Sequence, residues 1–130
     1  MLPANTILKI SNQVLYWKNS TFWFTQVEAE ALYEAISRIL ADPLVTRMII
    51  DNRDATGSFS DSVEAMWDDL LLKLSNHFDI CATLENSMTA AMMNQISKGS
   101  GVLHKVRSFV DVEKAMAFVG ISDKNFLSNI

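Results

Sequence analysis

Between Ser62 and His77, apolar residues recur at Val63, Met66, Trp67, Leu70, Leu71 and Leu74, in steps of 3, 1, 3, 1 and 3. This spacing draws one stripe down an α-helix and fits no strand. Burying six such side chains contributes about 1.5 to 3 kcal/mol each, so the rest of the chain must supply an apolar surface to cover them. The flanking segments have the composition of that surface. Val45 to Ile50 is a near-continuous apolar run broken only by Thr46 and Arg47, as expected for a central strand covered on both faces, and Ile80 to Leu84 is a second short buried run. Strand, helix and strand in that order call for a right-handed crossover and parallel pairing.

The same alternation extends in both directions. Ile7 to Ile10 and Val14 to Trp17 are β-type runs separated by Ser11-Asn12-Gln13, a hairpin-like pair. Thr25-Gln-Val-Glu28 is a capping box that opens a helix with Ala29, Leu32, Ile36, Ile39 and Leu40 on one face, closed by Asp42-Pro43. Asn86-Ser87 opens a third helix, whose expected inner face is Met88, Ala91, Met92 and Ile96, and Gly99 and Gly101 stop it. Lys105 to Val110 reads as a last strand. Asp111 caps a fourth helix with Val112, Ala115, Met116 and Val119 inward, and Gly120 ends it. The expectation is one α/β domain over residues 1–130: a mostly parallel or mixed sheet of about five strands covered by four helices, with the core over 6–120 and a loose tail over 121–130.

Composition narrows the role. Eleven basic against fifteen acidic residues give a net charge of −4, which disfavours a phosphate backbone, so nucleic acid is not an expected partner. A single cysteine, Cys81, excludes an intramolecular disulfide and fits a reducing compartment. Met1-Leu-Pro-Ala-Asn5 lacks the features of a leader and no window reaches the roughly 20 apolar residues of a membrane span, so the expected location is the cytoplasm, with peripheral membrane contact left open.

Three groups of residues are candidates for a site. The turn Thr56 to Ser60, with Ser62 beyond it, enters the second helix, where free amides and the helix dipole favour an anion; Ser58, Ser60 and Ser62 are candidate phosphoacceptor or anion-site residues. The preferred reading of this turn is structural, with Gly57 relieving the backbone and Asp61-x-x-Glu64 forming a capping box. Asp51 and Asp54 follow a central strand and supply two oxygens, a thin case for a Mg²⁺ site or an aspartyl nucleophile, with Arg53 offering a local ion pair instead. His77, His104 and Cys81 lack neighbours at ligand spacing, and no metal or cofactor is expected.

The third group is apolar. Tyr16 to Phe24 packs five aromatics into nine residues, and indole rings suit the lip of an apolar pocket or a membrane interface as well as a core. Met88, Met92 and Met93 crowd the third helix, and Met93 points about 140° away from Met88, toward a candidate binding surface. Leu72, about 180° from the stripe of its own helix, is a candidate for contact with a second copy. Trp17, Phe22, Trp23, Trp67, Met92 and Met93 together form the candidate ligand- or partner-binding set.

Three stretches carry a family resemblance. Ile49-Ile50-Asp51, Ala65-Met-Trp67-Asp68-Asp69-Leu70 and Glu113-Lys-Ala115-Met-Ala117-Phe118-Val119 resemble the central strand, second helix and closing helix of the STAS family, and in particular its SpoIIAA-like branch. The resemblance implies a small domain that acts by binding and not by catalysis. Some members are phosphorylation-switched partners of other proteins; the branch is related in design to CRAL-TRIO lipid-binding domains, which implies a protein partner, a lipid-like ligand or a membrane surface. The phospho-switched members carry Asp-Ser-Ser/Thr-Gly at the entry of the second helix, whereas Phe59-Ser60-Asp61-Ser62 stands in that window here, with Asp61 at the acceptor position.

Overall fold

A computed structural model describes residues 6–121. The leader reading of Met1 to Asn5 and the tail expected over 122–130 lie outside the described residues. Five strands and four helices run in the order β1 (Thr6–Ser11), β2 (Val14–Asn19), α1 (Gln26–Leu40), β3 (Arg47–Asp51), α2 (Asp61–His77), β4 (Ile80–Leu84), α3 (Ser87–Gly99), β5 (Val106–Phe109) and α4 (Val112–Phe118). The sheet is mixed, in spatial order β1-β2-β3-β4-β5. β1 pairs antiparallel with β2, and every later pair is parallel. The hairpin closes through Asn12 and Gln13, both at positive φ (53° and 68°), the two-residue turn whose twist matches the strands.

Because the parallel strands follow one another in space as in sequence, right-handed crossovers place α1, α2 and α3 on one side of the sheet. On that side, Leu15, Trp17, Met48, Ile50 and Cys81 meet Ala29, Leu32 and Ile36 of α1 and Val63, Trp67, Leu70 and Leu74 of α2. The opposite side carries Val14, Tyr16, Ile49, Ala82 and Leu84 beneath Ala115 and Met116 of α4. Val119 and Ile121 complete that second cluster, so Ile121 is core, not tail. Period-two alternation along β2, β3 and β4 thus feeds two separate cores with different coverings.

The helix entries follow their capping residues. Thr25 accepts from the Glu28 amide at 3.1 Å while Glu28 accepts from the Thr25 amide at 3.0 Å, completing the capping box. Asn86 accepts from Thr89 at 2.9 Å and Asp111 from Glu113 at 2.9 Å. α2 differs from expectation: its cap is Ser60, which accepts from the Val63 amide, and the Asp61/Glu64 box does not form because Asp61 is already the first helical residue.

The larger departure is in α3. Met88, Met92 and Ile96, expected inward, are 75%, 58% and 67% exposed, while Ala90 and Ser97 are buried and Met93 and Asn94 half-buried. A polar clamp sets the rotation. Asn94 donates to the Ser108 carbonyl at 2.9 Å and accepts from the Ser108 amide at 2.7 Å, fixing α3 against β5 with its most apolar stripe outward. Periodicity alone cannot choose between two stripes of similar composition when an amide decides which is covered.

Candidate functional site

The carboxyl ends of β2, β3 and β4 point into a gap beneath α2 and α3, the end of an α/β sheet where ligands are usually held. A cavity of about 220 Å³ lies there. Trp17, Phe22, Phe24, Phe59 and Trp67 supply its aromatic walls, and Ile50, Leu70, Leu71 and Met93 its aliphatic ones. Asn19, Asn52, Thr83 and Glu85 are the polar groups: Asn19 ends β2, Thr83 is the penultimate residue of β4, and Asn52 and Glu85 follow β3 and β4.

Trp67 is the hub of the walls. Its ring meets Trp17, Phe24 and Phe59 edge-on at centroid distances of 6.1, 5.8 and 6.0 Å, and Phe22 meets Phe59 at 5.0 Å. Such contacts contribute about 0.5 to 1.5 kcal/mol each beyond area burial and hold the rings in fixed orientations, so the walls are preformed. The rim is tied by backbone: the Phe22 amide donates to the Thr56 carbonyl at 2.8 Å, joining the loop after β2 to the loop after β3.

That tie explains the turn entering α2. Gly57 sits at φ 91°, and a Cβ there would lie 2.0 Å from the Trp23 indole nitrogen. Glycine is required twice over, by conformation and by the ring laid against it. Trp23 itself is 67% exposed and packs outside the cavity. Of the six residues selected from sequence, the structure therefore brings Trp17, Phe22, Trp67 and Met93 together, leaves Trp23 on the outer rim, and turns Met92 to solvent.

The remaining candidates have other occupations. Asp51 is fully buried; it accepts from the Tyr16 hydroxyl at 2.6 Å and from Arg53 Nη2 at 2.8 Å, Nε at 3.0 Å and the Arg53 amide at 3.2 Å. Burial alone would raise its pKa, but the hydrogen bonds from Arg53 and Tyr16 outweigh burial and hold the carboxyl below its usual value. Asp54 pairs with Lys18 at 3.3 Å, so the two aspartates serve different partners. Among the described residues no group of three or more His, Cys, Asp or Glu is placed to share a metal ion. Burial pushes the Cys81 thiol up to about 12, the state of a small hydrophobe and not of a nucleophile. Ser60 caps α2 and Ser62 donates to Gln26 at 3.0 Å, whereas Ser58 is exposed on the turn.

The sequence reading passed over the polar end of the cavity. Trp17 Nε1 donates to Asn19 at 2.8 Å, Asn19 Nδ2 to Asn52 at 3.0 Å, and Asn52 Nδ2 to Glu85 Oε1 at 3.0 Å. Every donor in this ladder points toward Glu85, which is 7% exposed and lines the cavity. Burial raises the Glu85 pKa, the Asn52 hydrogen bond opposes the rise, and the charge of Asp51 adds to it. A signal was present: each of the three residues stands one place past, or at the end of, an apolar strand, where alternation turns it toward the helices.

Three solved structures share this architecture. An uncharacterized protein from Shewanella loihica, described as having a SpoIIAA-like fold, superposes with a TM-score of 0.65 at 17% identity, over 88% of this chain and 91% of that one. This chain has the SpoIIAA-like fold. The anti-sigma factor antagonist SpoIIAA in its unphosphorylated form gives 0.56 at 14% identity, over 91% and 99% of the two chains. An anti-sigma factor antagonist from Mycobacterium paratuberculosis gives 0.56 at 14%, over 92% and 98%. No protein-family model matches the chain, and no curated protein sequence does. The STAS/SpoIIAA-like resemblance found in the three sequence stretches is thus matched by the mixed five-strand sheet and its four helices. Among the described residues no helix is long and apolar enough to cross a membrane.

Proposed function

We propose that this chain is a non-enzymatic binding module whose cavity, at the carboxyl ends of β2 to β4, takes a small apolar or lipid-like molecule. The observation that carries this reading is the aromatic-walled cavity of about 220 Å³. An apolar cavity of about 150 Å³ already accepts benzene, so the volume suits one ring or a short acyl segment. The walls are braced by ring contacts, which keeps the cost of ordering low on binding. Native mass spectrometry of freshly purified protein, and melting with added toluene, test it. A retained small molecule or a rise in Tm is expected, with the rise lost in Met93→Trp, which fills the space; neither a retained mass nor a Tm rise would end this reading.

A regulatory protein partner is the second part of the proposal. The SpoIIAA-like fold supports it through the anti-sigma factor antagonists it resembles, and the exposed stripe of Met88, Met92 and Ile96 on α3 suits an adaptable apolar contact. Phosphorylation would fall on Ser58, since the hydroxyls of Ser60 and Ser62 are hydrogen-bonded. Intact-mass measurement of protein from its native cells tests that switch: an added phosphoryl mass on Ser58 is expected, and its absence under all growth conditions would remove it. Trp23, 67% exposed, and Val27, 75% exposed in the first turn of α1, would mediate peripheral membrane contact, and Leu72, 63% exposed, contact with a second copy. Liposome flotation and sedimentation velocity respectively check these contacts.

A further inference from the structure

Resting on the cavity as a binding site, we propose that its ligand is a small organic cation, a protonated amine on a short aryl or alkyl stem, with the amine on Glu85 and the stem among the aromatic rings. Three observations converge on this chemistry.

Glu85 accepts one hydrogen bond, from Asn52 to Oε1, and among the described residues its second oxygen has no partner. No lysine or arginine among the described residues forms an ion pair with it. A carboxylate buried beside neutral amides costs stability until a cation arrives, and a cation within reach recovers part of that cost on binding.

The hydrogen-bond ladder also has a direction. Trp17, Asn19 and Asn52 each donate toward the next member, so the chain of dipoles ends on an acceptor and not on a donor. What the site lacks is an N–H or O–H. A carboxylate or phosphate ligand would meet a like charge at that point, and a hydrocarbon would leave it unmet.

Finally, the walls match the head group. Trp17, Phe22, Phe24, Phe59 and Trp67 line the same cavity as Glu85, and the electron-rich faces of such rings attract ammonium groups. Rings and acid together favour a cation more than either does alone, and the apolar stem keeps the favourable burial already proposed.

Isothermal titration of the full chain with 2-phenylethylamine, 2-phenylethanol and phenylacetate, which share a similar stem, tests the head group. The amine is expected to bind about tenfold tighter than the alcohol, because its donor carries the charge opposite to the carboxylate, and the acid weakest. In Glu85→Gln, the amine should lose this advantage and bind no tighter than the alcohol does to the same variant. An alcohol or acid equal to or tighter than the amine, or an amine preference that persists in Glu85→Gln, would overturn the cation assignment while leaving the apolar cavity as a site. Failure of all three to bind would overturn the assignment together with the reading beneath it. The ranking in the wild type is decisive by itself, independent of the variant's folding.

Discussion

Two buried carboxylates stand at the ends of neighbouring strands, Asp51 closing β3 and Glu85 following β4, and they have opposite surroundings. Asp51 faces the α4 side, where Tyr16 and Arg53 fill its acceptor positions and hold its proton affinity down. Glu85 faces the α2 and α3 side, receives one neutral donor, and has its proton affinity raised. Depth is nearly the same for both, so partnering, not burial, separates a carboxylate that braces the sheet from one left open to a ligand. The same contrast extends to the two cores: the α4 side is closed over its polar network, while the aromatic side keeps a cavity.

Substitution should separate the two acids most strongly. Asp51→Ala removes the acceptor of the buried Tyr16 hydrogen bond and unpairs Arg53, and a loss of about 3 kcal/mol is expected in urea denaturation. Glu85→Gln removes a buried charge and keeps the Asn52 contact; it should leave stability unchanged or raise it by about 1 kcal/mol at pH 7. If Glu85→Gln proved the more damaging of the two, the contrast between them would be wrong.

Gly57→Ala breaks the rim instead of either acid. Positive φ and the overlying indole together predict a loss of about 2 kcal/mol, part of it recovered in the double variant with Trp23→Ala, which removes the clash but not the strained backbone. Full recovery would mean that φ contributes nothing.

Acid titration sharpens the contrast by direction. The folded pKa of Glu85 lies above its ordinary 4.5, so the folded chain holds that proton more tightly than the unfolded one; stability from this group rises as pH falls from 7 through the raised value and is complete below 4.5. Asp51, lowered from 3.8, contributes fully above 3.8 and loses its contribution as pH falls through the lowered value. Denaturation followed from pH 7 to below 4.5 should therefore show the wild type gaining on Glu85→Gln, and no such gain would contradict the burial of an ionised Glu85.

The smallest effect belongs to α3. Met88→Lys and Met92→Lys should each change stability by less than about 0.5 kcal/mol, because both side chains are exposed. Larger losses in thermal melts would return these methionines to the core.

Much of the fold was legible in the chain because periodicity and caps agree: Thr25, Asn86 and Asp111 cap as their identities imply, and Ile80 to Leu84 is a strand from end to end. The rotation of α3 was not, since the Asn94–Ser108 clamp joins two polar residues fourteen positions apart that carry no apolar signal. The aromatic half of the candidate site could be selected from residue density alone. Its polar half could not, because Asn19, Asn52 and Glu85 meet only once β2, β3 and β4 lie side by side. Asp51 attracted attention through its place after an apolar strand, and only the structure reveals that Tyr16, thirty-five residues earlier, already occupies it.

The three tryptophans give the most direct test that the cavity receives a ligand, since Trp17 and Trp67 form its walls and Trp23 lies outside. In a ¹⁵N-resolved NMR spectrum the three indole N–H signals can be followed while 2-phenylethylamine or toluene is added. The signals of Trp17 and Trp67 should move in a saturable way while that of Trp23 stays in place. Movement of Trp23 alone, or of none of the three, would contradict it.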